Sequence, residues 1–278
     1  MTGSAAQLGN VIATGSRSVV YQWGSDAVAK VPLASTPEGW IRYEAVYSEA
    51  IHALGAPVPR MLGIEVIEGR EVSIFERITG QSMWETLLAH QSNAAQLGRR
   101  LGELHLEILA LPGPLVIPTQ FTRVSCKVSY AVRHVAPSID WVTGLIPRQM
   151  TNALCHGDFH PKNIVLGPTG PVVVDWFDVS RGDPCGDVAR SLILLSSGTD
   201  GVSTPADPLP GASSNVLAQL RDSYLETVCS HISFDETDLS TWRIIQTAAR
   251  LAEGLDRGPL LDALEGERNR RDGQRSAV

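Results

Sequence analysis

The stretch LCHGDFHPKNIVLG, residues 154–167, places two histidines, an aspartate, a lysine and an asparagine within eight positions. An apolar run follows directly, which is typical of a strand. Gly157 and Pro161 exclude a regular helix across the polar part, because glycine weakens a helix and proline lacks the amide hydrogen. Polar side chains on an irregular loop beside a strand are typical of a functional site. We therefore expect this loop to carry the chemistry of the protein.

The spacing of the polar residues indicates phosphoryl transfer. Asp158 and Asn163 lie five positions apart, and Asp175 lies twelve positions beyond Asn163. One carboxylate can orient an attacking hydroxyl and accept its proton, whereas an amide oxygen and a second carboxylate are hard ligands for Mg²⁺. The same spacing occurs in the catalytic loop and metal-binding aspartate of protein kinases. We predict that Asp158 is the catalytic residue and that Asn163 and Asp175 bind magnesium.

The N-terminal part supplies candidates for nucleotide binding. Lys30 is the only lysine in the first 126 residues and lies on the third predicted strand. Glu44 follows within the first predicted helix, where protein kinases have the ion-pair partner of such a lysine. Gly15 and Ser16 join the first two predicted strands, where backbone N–H groups could cover phosphates. Only three of the 23 basic residues are lysines, namely Lys30, Lys127 and Lys162. This scarcity favours a functional role for Lys30.

These motifs resemble those of the aminoglycoside phosphotransferase and choline-kinase-like group, a relative of the eukaryotic protein kinases. The matching segments include ATGSRSVVY, AVAKVP, FERITGQSM, LGRRLGELHLEI, LCHGDFHPKNIVL and VVVDWFDVSRGDPCGDVARSL. The combination of HGDFHPKN with VVDWFD is specific to this group. One departure from protein kinases is His160, which stands where those enzymes usually have a lysine.

The resemblance implies a bilobal, protein-kinase-like α+β fold with ATP, or alternatively GTP, in the cleft. Residues 1–78 would form a nucleotide-binding lobe with a small antiparallel sheet and one helix. Residues 79–278 would form a larger, mostly helical lobe with the catalytic loop and the acceptor site. The backbone of Glu76 and Ile78 would hydrogen-bond the adenine. With Mg²⁺ as cofactor, the enzyme would transfer the γ-phosphoryl group to a small-molecule hydroxyl.

Composition narrows the functional class. A net charge of −7 argues against a nucleic-acid binder, which normally carries a basic face. With 43% hydrophobic and 19% charged residues the chain can build a sizeable core and is not disordered. No apolar run has membrane-spanning length, and the four cysteines show neither zinc-site nor disulfide spacing. We therefore expect a cytoplasmic protein with no nucleic-acid or membrane partner, and its oligomeric state is left open.

The distribution of acidic residues bears on the acceptor. Positions 200–268 hold twelve acidic and five basic side chains, and the resemblance implies that the C-terminal helices help to line the acceptor pocket. This favours a cationic antibiotic, either an aminoglycoside or a tuberactinomycin-type cyclic peptide, with resistance as the outcome. The candidate contact residues are Asp178, Asp222, Glu226, Asp235 and Glu236. Two alternatives stay open: a metabolic kinase for a choline-, homoserine- or sugar-like alcohol, and a nucleotide-binding pseudokinase scaffold.

Three local predictions concern helices and the residues that support them. The segment 36–55 predicts a helix that is capped by Thr36. The leucine-rich segment 94–113 predicts a second helix, on which His105 would be a buried, hydrogen-bonded histidine. Asp187 would cap a later helix.

Overall fold

The computed structural model describes residues 8–15, 17–37, 39–196, 209, 211–254 and 257–276. The chain divides into two compact units. The first comprises Met1–Gln81 and Ile164–Phe177, and the second comprises Ser82–Asn163 and Asp178–Val278. The first unit therefore extends past the boundary predicted after Ile78 and takes in a segment from the middle of the chain.

The first unit is built on an antiparallel sheet. Its strands are β1 (Val11–Thr14), β2 (Ser18–Trp23), β3 (Ala27–Pro32), β4 (Met61–Ile67) and β5 (Arg70–Glu76). Among the described residues the strand order is β1-β2-β3-β5-β4. Ala29, Val72 and Ile74 form its buried core. Glu68 and Gly69 join β4 to β5 with positive φ angles of 50° and 78°, which a two-residue hairpin turn requires.

The helix α1 (Trp40–His52) begins later than predicted. The prediction that Thr36 caps it was wrong, because the Thr36 hydroxyl donates to the backbone carbonyl of Arg17 at 2.6 Å. Gly39 stands at the helix start in the left-handed conformation and provides no side-chain cap. The buried face of α1 is mostly apolar but also carries Glu44. A carboxylate buried in this way requires a partner of opposite charge.

Short strands fix the ends of the two polar segments. They are β7 (Ala153–Cys155), β8 (Ile164–Gly167), β9 (Gly170–Val173) and β10 (Ser180–Gly182), and a further short strand, β6 (Gln81–Ser82), shares a sheet with β8 and β9. β7 pairs antiparallel with β10, and β8 forms a hairpin with β9. Residues 156–163 therefore connect β7 to β8, and residues 174–179 connect β9 to β10. Both polar motifs are loops that are held by strands at each end.

The second unit is mainly helical. Its helices include α2 (Met83–Ala89), α3 (Ala94–Leu109), α4 (Gln120–His134), α5 (Pro184–Ser196), α6 (Ser214–Cys229), α7 (Glu236–Arg250) and α8 (Arg257–Ser276). One apolar core, which includes Val128, Trp242 and Ile245, joins α4, α5, α7 and α8. A sheet-rich unit and a helical unit confirm the predicted α+β class. Among the described helices, none combines the length and apolar composition needed to cross a membrane.

The helices α3 and α6 pack closely because glycines face the contact. Gly98 and Gly102 lie four residues apart, and thus on one face of α3. A Cβ atom on Gly98 would overlap the backbone carbonyl of Leu220 and approach Cβ of Ser223 to 3.0 Å. A Cβ atom on Gly102 would lie 2.8 Å from Cβ of Thr227. The two helices can approach this closely only without side chains at these positions.

We expect Gly98→Ala to lower the free energy of unfolding by about 1–3 kcal/mol, because added atoms in a well-packed contact force the backbone apart. The loss should appear even though alanine is intrinsically the better helix former by about 1 kcal/mol. Urea unfolding monitored by circular dichroism would measure it. Gly144→Ala is the control, since a Cβ atom there meets nothing within 4 Å. Equal stabilities of the two variants would contradict the packing argument.

Candidate active site

Lys30 joins two carboxylates in the first unit. It lies on β3, and its Nζ donates to Oε1 of Glu44 at 2.5 Å and to Oδ1 of Asp175 at 2.9 Å. Burial by itself would lower the pKa of Lys30, but Asp175 and Glu44 outweigh burial and raise that pKa above its ordinary value. The lysine is therefore charged at neutral pH, and the expected contact with Glu44 is present.

The backbone at Asp175 is held in an uncommon conformation. Its φ angle of 63° is in the left-handed region, which residues other than glycine rarely adopt. Two residues further on, Phe177 stacks on Trp40 in the first turn of α1, with ring centroids 3.9 Å apart. The guanidinium of Arg17 lies 4.2 Å from the centroid of the Phe177 ring. Sequence reasoning missed this stack, because no local pattern connects the three positions.

The other residues predicted to bind the nucleotide lie along the sheet. The N–H of Gly15 donates to the carbonyl of Ser18 at 2.9 Å, which closes a tight turn between β1 and β2. Ser16 lies outside the described residues. Glu76 ends β5 with its backbone N–H already hydrogen-bonded, and Ile78 follows in the segment that leaves the strand. Nucleotide contacts of these residues stay a prediction.

Asp158 and Asn163 come together in the second unit. The amide nitrogen of Asn163 donates to the carbonyl of Asp158 at 2.9 Å and to Oδ2 of its carboxylate at 3.3 Å. A 3₁₀ turn over Pro161–Asn163 produces this return of the chain. Nε2 of His160 lies 3.4 Å from the same Oδ2.

The carboxylate of Asp158 is kept ionised by its neighbours. Burial alone would raise its pKa, but His160, Arg190 and His156 outweigh burial and hold the pKa well below its usual range. Asp158 is therefore an anion at neutral pH.

The carboxylate of Asp187 supports the loop that carries Asp158 through hydrogen bonds to its backbone. It lies in the first turn of α5 rather than at its cap, so the capping role predicted for it was wrong. Its buried carboxylate accepts from the backbone N–H groups of His156 at 2.7 Å and Gly157 at 2.8 Å. Nε2 of His105 lies 3.0 Å from it, and Nδ1 of His105 lies 2.7 Å from the hydroxyl of Tyr224. His105 is thus a buried, hydrogen-bonded histidine, which confirms that prediction.

Arg190 is a site residue that sequence reasoning missed. From α5 its Nη2 reaches Oδ1 of Asp158 at 3.2 Å and also contacts Glu253. Lys127 on α4 pairs with Asp178 at 3.2 Å and with Glu253 at 3.1 Å. The scarcity of lysine could have singled out Lys127. Nothing in the sequence marks Arg190 among twenty arginines, or Glu253 among the acidic residues.

The remaining predicted acceptor residues are dispersed over two helices. Asp222 and Glu226 are exposed on α6, where Asp222 pairs with the adjacent arginine. Asp235 caps α7 and Glu236 lies in its first turn. All four carboxylates are exposed, and their contact with an acceptor stays a prediction.

The two predicted magnesium ligands have the chemistry that a hard cation requires. Both hydrogen bonds from Asn163 to Asp158 use Nδ2, so Oδ1 is the atom that could face a cation. Asp175 contacts Lys30 through Oδ1, and 49% of its side chain is exposed. No group of three or more His, Cys, Asp or Glu side chains that could hold a metal occurs among the described residues. Asn163 belongs to the second unit and Asp175 to the first, and their shared role as magnesium ligands stays a prediction.

Comparison with known sequences agrees with this chemistry. A model of the phosphotransferase enzyme family matches residues 10–222. This match confirms the resemblance inferred from the motifs. No curated protein sequence matches the chain.

Solved structures share the fold at low identity. A thermostable mutant of aminoglycoside phosphotransferase APH(4)-Ia, in ternary complex with AMP-PNP and hygromycin B, matches with a TM-score of 0.60 and 18% identity over 98% of this chain and 94% of that one. The streptomycin–ATP complex of APH(2")-IIa matches with a TM-score of 0.58 and 14% identity over 94% of this chain and 90% of that one. A choline/ethanolamine kinase family protein from Mesorhizobium loti matches with a TM-score of 0.51 and 15% identity over 98% of this chain and 89% of that one. These matches confirm the kinase-like fold.

We expect Asp187→Asn to lower the free energy of unfolding by about 2 kcal/mol or more. The amide has one acceptor oxygen, so its NH₂ group would face a buried N–H of the loop, and an unsatisfied buried donor costs about 1–3 kcal/mol. Thermal and urea unfolding would measure the loss. Asp140→Asn, the same change at an exposed position, should stay within about 0.5 kcal/mol of the wild type. A similar change in the free energy of unfolding of both variants would show that the hydrogen bonds of Asp187 to the loop contribute little to stability.

Proposed function

Because the chain belongs to the phosphotransferase enzyme family, we propose that it transfers the γ-phosphoryl group of ATP to a hydroxyl of a small, cationic antibiotic. The observation that carries the proposal is the intact ionic set around Lys30. A lysine bonded to both Glu44 and Asp175 is positioned by two carboxylates and retains a charge for nucleotide phosphates. A scaffold that binds nucleotide without turnover would not need this set together with Asp158 and Asn163.

In the proposed reaction, Asp158 orients the acceptor hydroxyl. The hydroxyl oxygen forms a bond to the γ-phosphorus as the bond to the β–γ bridging oxygen breaks, ADP leaves, and the hydroxyl proton passes to the Asp158 carboxylate. The transition state is loose, so little basicity is required and orientation contributes most of the rate. An ionised and hydrogen-bonded Asp158 suits this role. Asn163 and Arg190 fix the direction in which its oxygens point.

Asn163 and Asp175 are the residues that we assign to magnesium. When bound, Mg²⁺ would neutralise charge on the nucleotide phosphates. Lys30 adds a second positive charge on the side of Asp175, while Glu44 keeps the lysine in place. Asp175 would therefore hold Lys30 through one carboxylate oxygen, Oδ1, and offer the other oxygen to the cation.

The acceptor class rests on charge. Relatives by fold are complexes with hygromycin B and streptomycin, and the acidic excess of the C-terminal part would concentrate a cation near the protein. We propose an aminoglycoside or a tuberactinomycin-type peptide, whose phosphorylation would confer resistance. A second candidate is a metabolic alcohol such as choline, which is supported by the fold match to the choline/ethanolamine kinase family protein. It is also supported by the dispersal of the four acidic residues on α6 and α7.

Turnover with a panel of acceptors tests the proposal. The panel comprises kanamycin, streptomycin, hygromycin B, a tuberactinomycin-type peptide, choline and ethanolamine, with ATP or GTP and Mg²⁺, and the readouts are ADP or GDP release and the mass of the phosphorylated product. We expect a basic antibiotic to be phosphorylated, with an acceptor KM that rises with salt because exposed charges are screened over about 8 Å. Asp158→Asn should lower kcat by roughly 10²–10⁴-fold and leave AMP-PNP binding intact.

Three outcomes of this experiment would contradict parts of the proposal. Phosphorylation of choline or ethanolamine alone would assign the metabolic function. AMP-PNP binding without turnover on any acceptor would favour the scaffold. Near wild-type turnover of the Asp158→Asn variant would show that Asp158 is not the catalytic residue.

We expect Asp175→Asn to raise the Mg²⁺ concentration needed for half-maximal turnover and for tight AMP-PNP binding, because it removes an anionic oxygen ligand. The same substitution also weakens the contact with Lys30. Glu44→Gln is the matched control, since it removes the other anion that contacts Lys30 without touching a proposed ligand. The control should lower turnover without shifting the Mg²⁺ dependence. Identical Mg²⁺ titrations for both variants would assign the metal to other residues.

A further inference from the structure

Five charged side chains of the second unit alternate in sign along one connected path. At its centre is Glu253, in the 3₁₀ turn that follows α7, which contacts Arg190 at 3.0 Å and Lys127 at 3.1 Å. Arg190 continues to Asp158 and Lys127 continues to Asp178, each at 3.2 Å. One carboxylate therefore contacts both of the cations that hold the two aspartates.

The nitrogen atoms of Arg190 show how Glu253 restrains it. Nη2 donates to both Asp158 and Glu253, and Nε donates to the carbonyl of Gly157 at 3.3 Å. Nη1 is buried without a hydrogen-bond partner among the described residues. A guanidinium that could turn freely would use two nitrogens to hold one carboxylate in a bidentate pair, which is the stronger arrangement. Arg190 instead contacts Asp158 through Nη2, the same nitrogen that contacts Glu253.

The side chains along the path differ in their exposure to solvent. The side chains of Arg190 and Glu253 are 5% and 17% exposed, whereas those of Lys127 and Asp158 are 24% and 28% exposed. The centre of the path is thus more buried than Asp158, which is the end that would meet a substrate. Interactions at the centre are less screened by solvent, so a charge removed there acts strongly on its neighbours.

We propose that Glu253 is a positioning residue for phosphoryl transfer, because it prevents Arg190 from closing on Asp158 and holds Lys127 beside Asp178. The inference rests on the function proposed above, since it takes Asp158 as the group that orients the acceptor hydroxyl. Without the Glu253 charge, Arg190 turns to take both oxygens of Asp158, and the carboxylate loses its orientation toward the hydroxyl. Nucleotide binding through Lys30 is unaffected, because the described ion pairs of Lys30 are with Glu44 and Asp175, which are not part of this path.

The test is Glu253→Gln, which keeps the size of the side chain and removes its charge. With ATP, Mg²⁺ and water as the acceptor, we expect kcat to fall about 10- to 100-fold, since a misplacement of 1 Å can cost on the order of 10²-fold. The KM for ATP and the AMP-PNP affinity by calorimetry should not change. Glu253→Asp, which retains the charge, should keep more of the kcat than Glu253→Gln.

Glu267→Gln is the matched control. Glu267 is 18% exposed and contacts two arginines, Arg270 and Arg271, so its loss disturbs a similar ion-pair cluster elsewhere. Its kcat should equal that of the wild type, and melting temperatures would report any loss of stability in both variants. If Glu253→Gln does not fold, Glu253→Asp, whose shorter side chain reaches Arg190 less well, must still lower kcat measurably at constant KM for ATP.

Distinct outcomes separate this inference from the proposed function. Wild-type kcat in Glu253→Gln, an equal kcat loss in Glu267→Gln, or a parallel loss of AMP-PNP affinity would each overturn the positioning role while leaving the phosphotransferase assignment intact. A wild-type protein that binds AMP-PNP but turns over ATP with neither water nor any acceptor of the panel would overturn both.

Discussion

The loop that carries Asp158 depends on one buried carboxylate. Asp187 accepts from two consecutive backbone N–H groups of the loop, that of buried His156 and that of half-buried Gly157, and a buried donor without a partner is costly. Burial by itself would raise the pKa of Asp187, but His105 and the other donors around it lower that pKa, so the acceptor stays an anion. Because Tyr224 in turn contacts His105, the position of the loop follows from the packing of α5, α3 and α6. The close contact of α3 with α6 through its glycines is therefore part of the support of the site.

Each candidate catalytic carboxylate is held by a cation from a different segment of the chain. Lys30 on β3 holds Asp175, and Arg190 on α5 holds Asp158. In both cases the cation is also held by a glutamate, Glu44 or Glu253. A shared cation is attracted to both anions, so neither aspartate is neutralised by a cation of its own. Such an arrangement favours orientation of ionised groups, which is what a loose phosphoryl-transfer transition state requires.

Sequence reasoning succeeded where the information is local and failed where tertiary contacts decide. The spacing of Asp158 and Asn163 is set by a single 3₁₀ turn, so a pattern of eight residues suffices to place them together. The contact of Lys30 with Glu44 could also be expected, because protein kinases, which the motifs resemble, pair a strand lysine with a helix glutamate. Thr36 has the composition of a helix cap, but its hydroxyl bonds to a distant carbonyl instead. Competing tertiary hydrogen bonds of this kind leave no trace in local sequence.

The residues that connect distant parts of the chain could not be identified from the sequence either. Arg190 and Glu253 are 63 positions apart in sequence, and each is one of many residues of its type. The role of Asp187 was misjudged for a related reason. Its position before an apolar helix resembles a cap, whereas its function in the fold depends on a loop 30 residues earlier. Composition and periodicity describe which residues are buried, but a buried charge can be interpreted only when its partner is known.

The same ion pairs constrain which acceptors fit the proposed chemistry. Asp178 is paired with Lys127, so an ammonium group of a cationic antibiotic would compete with that lysine for the carboxylate. The four predicted acceptor residues on α6 and at the start of α7 are exposed, and exposed charges act through a screened field. Such a field can raise the local concentration of a cation, but it cannot select one hydroxyl among several. Regioselectivity must therefore come from contacts beside Asp158, and acceptor charge and acceptor orientation are determined by different residues.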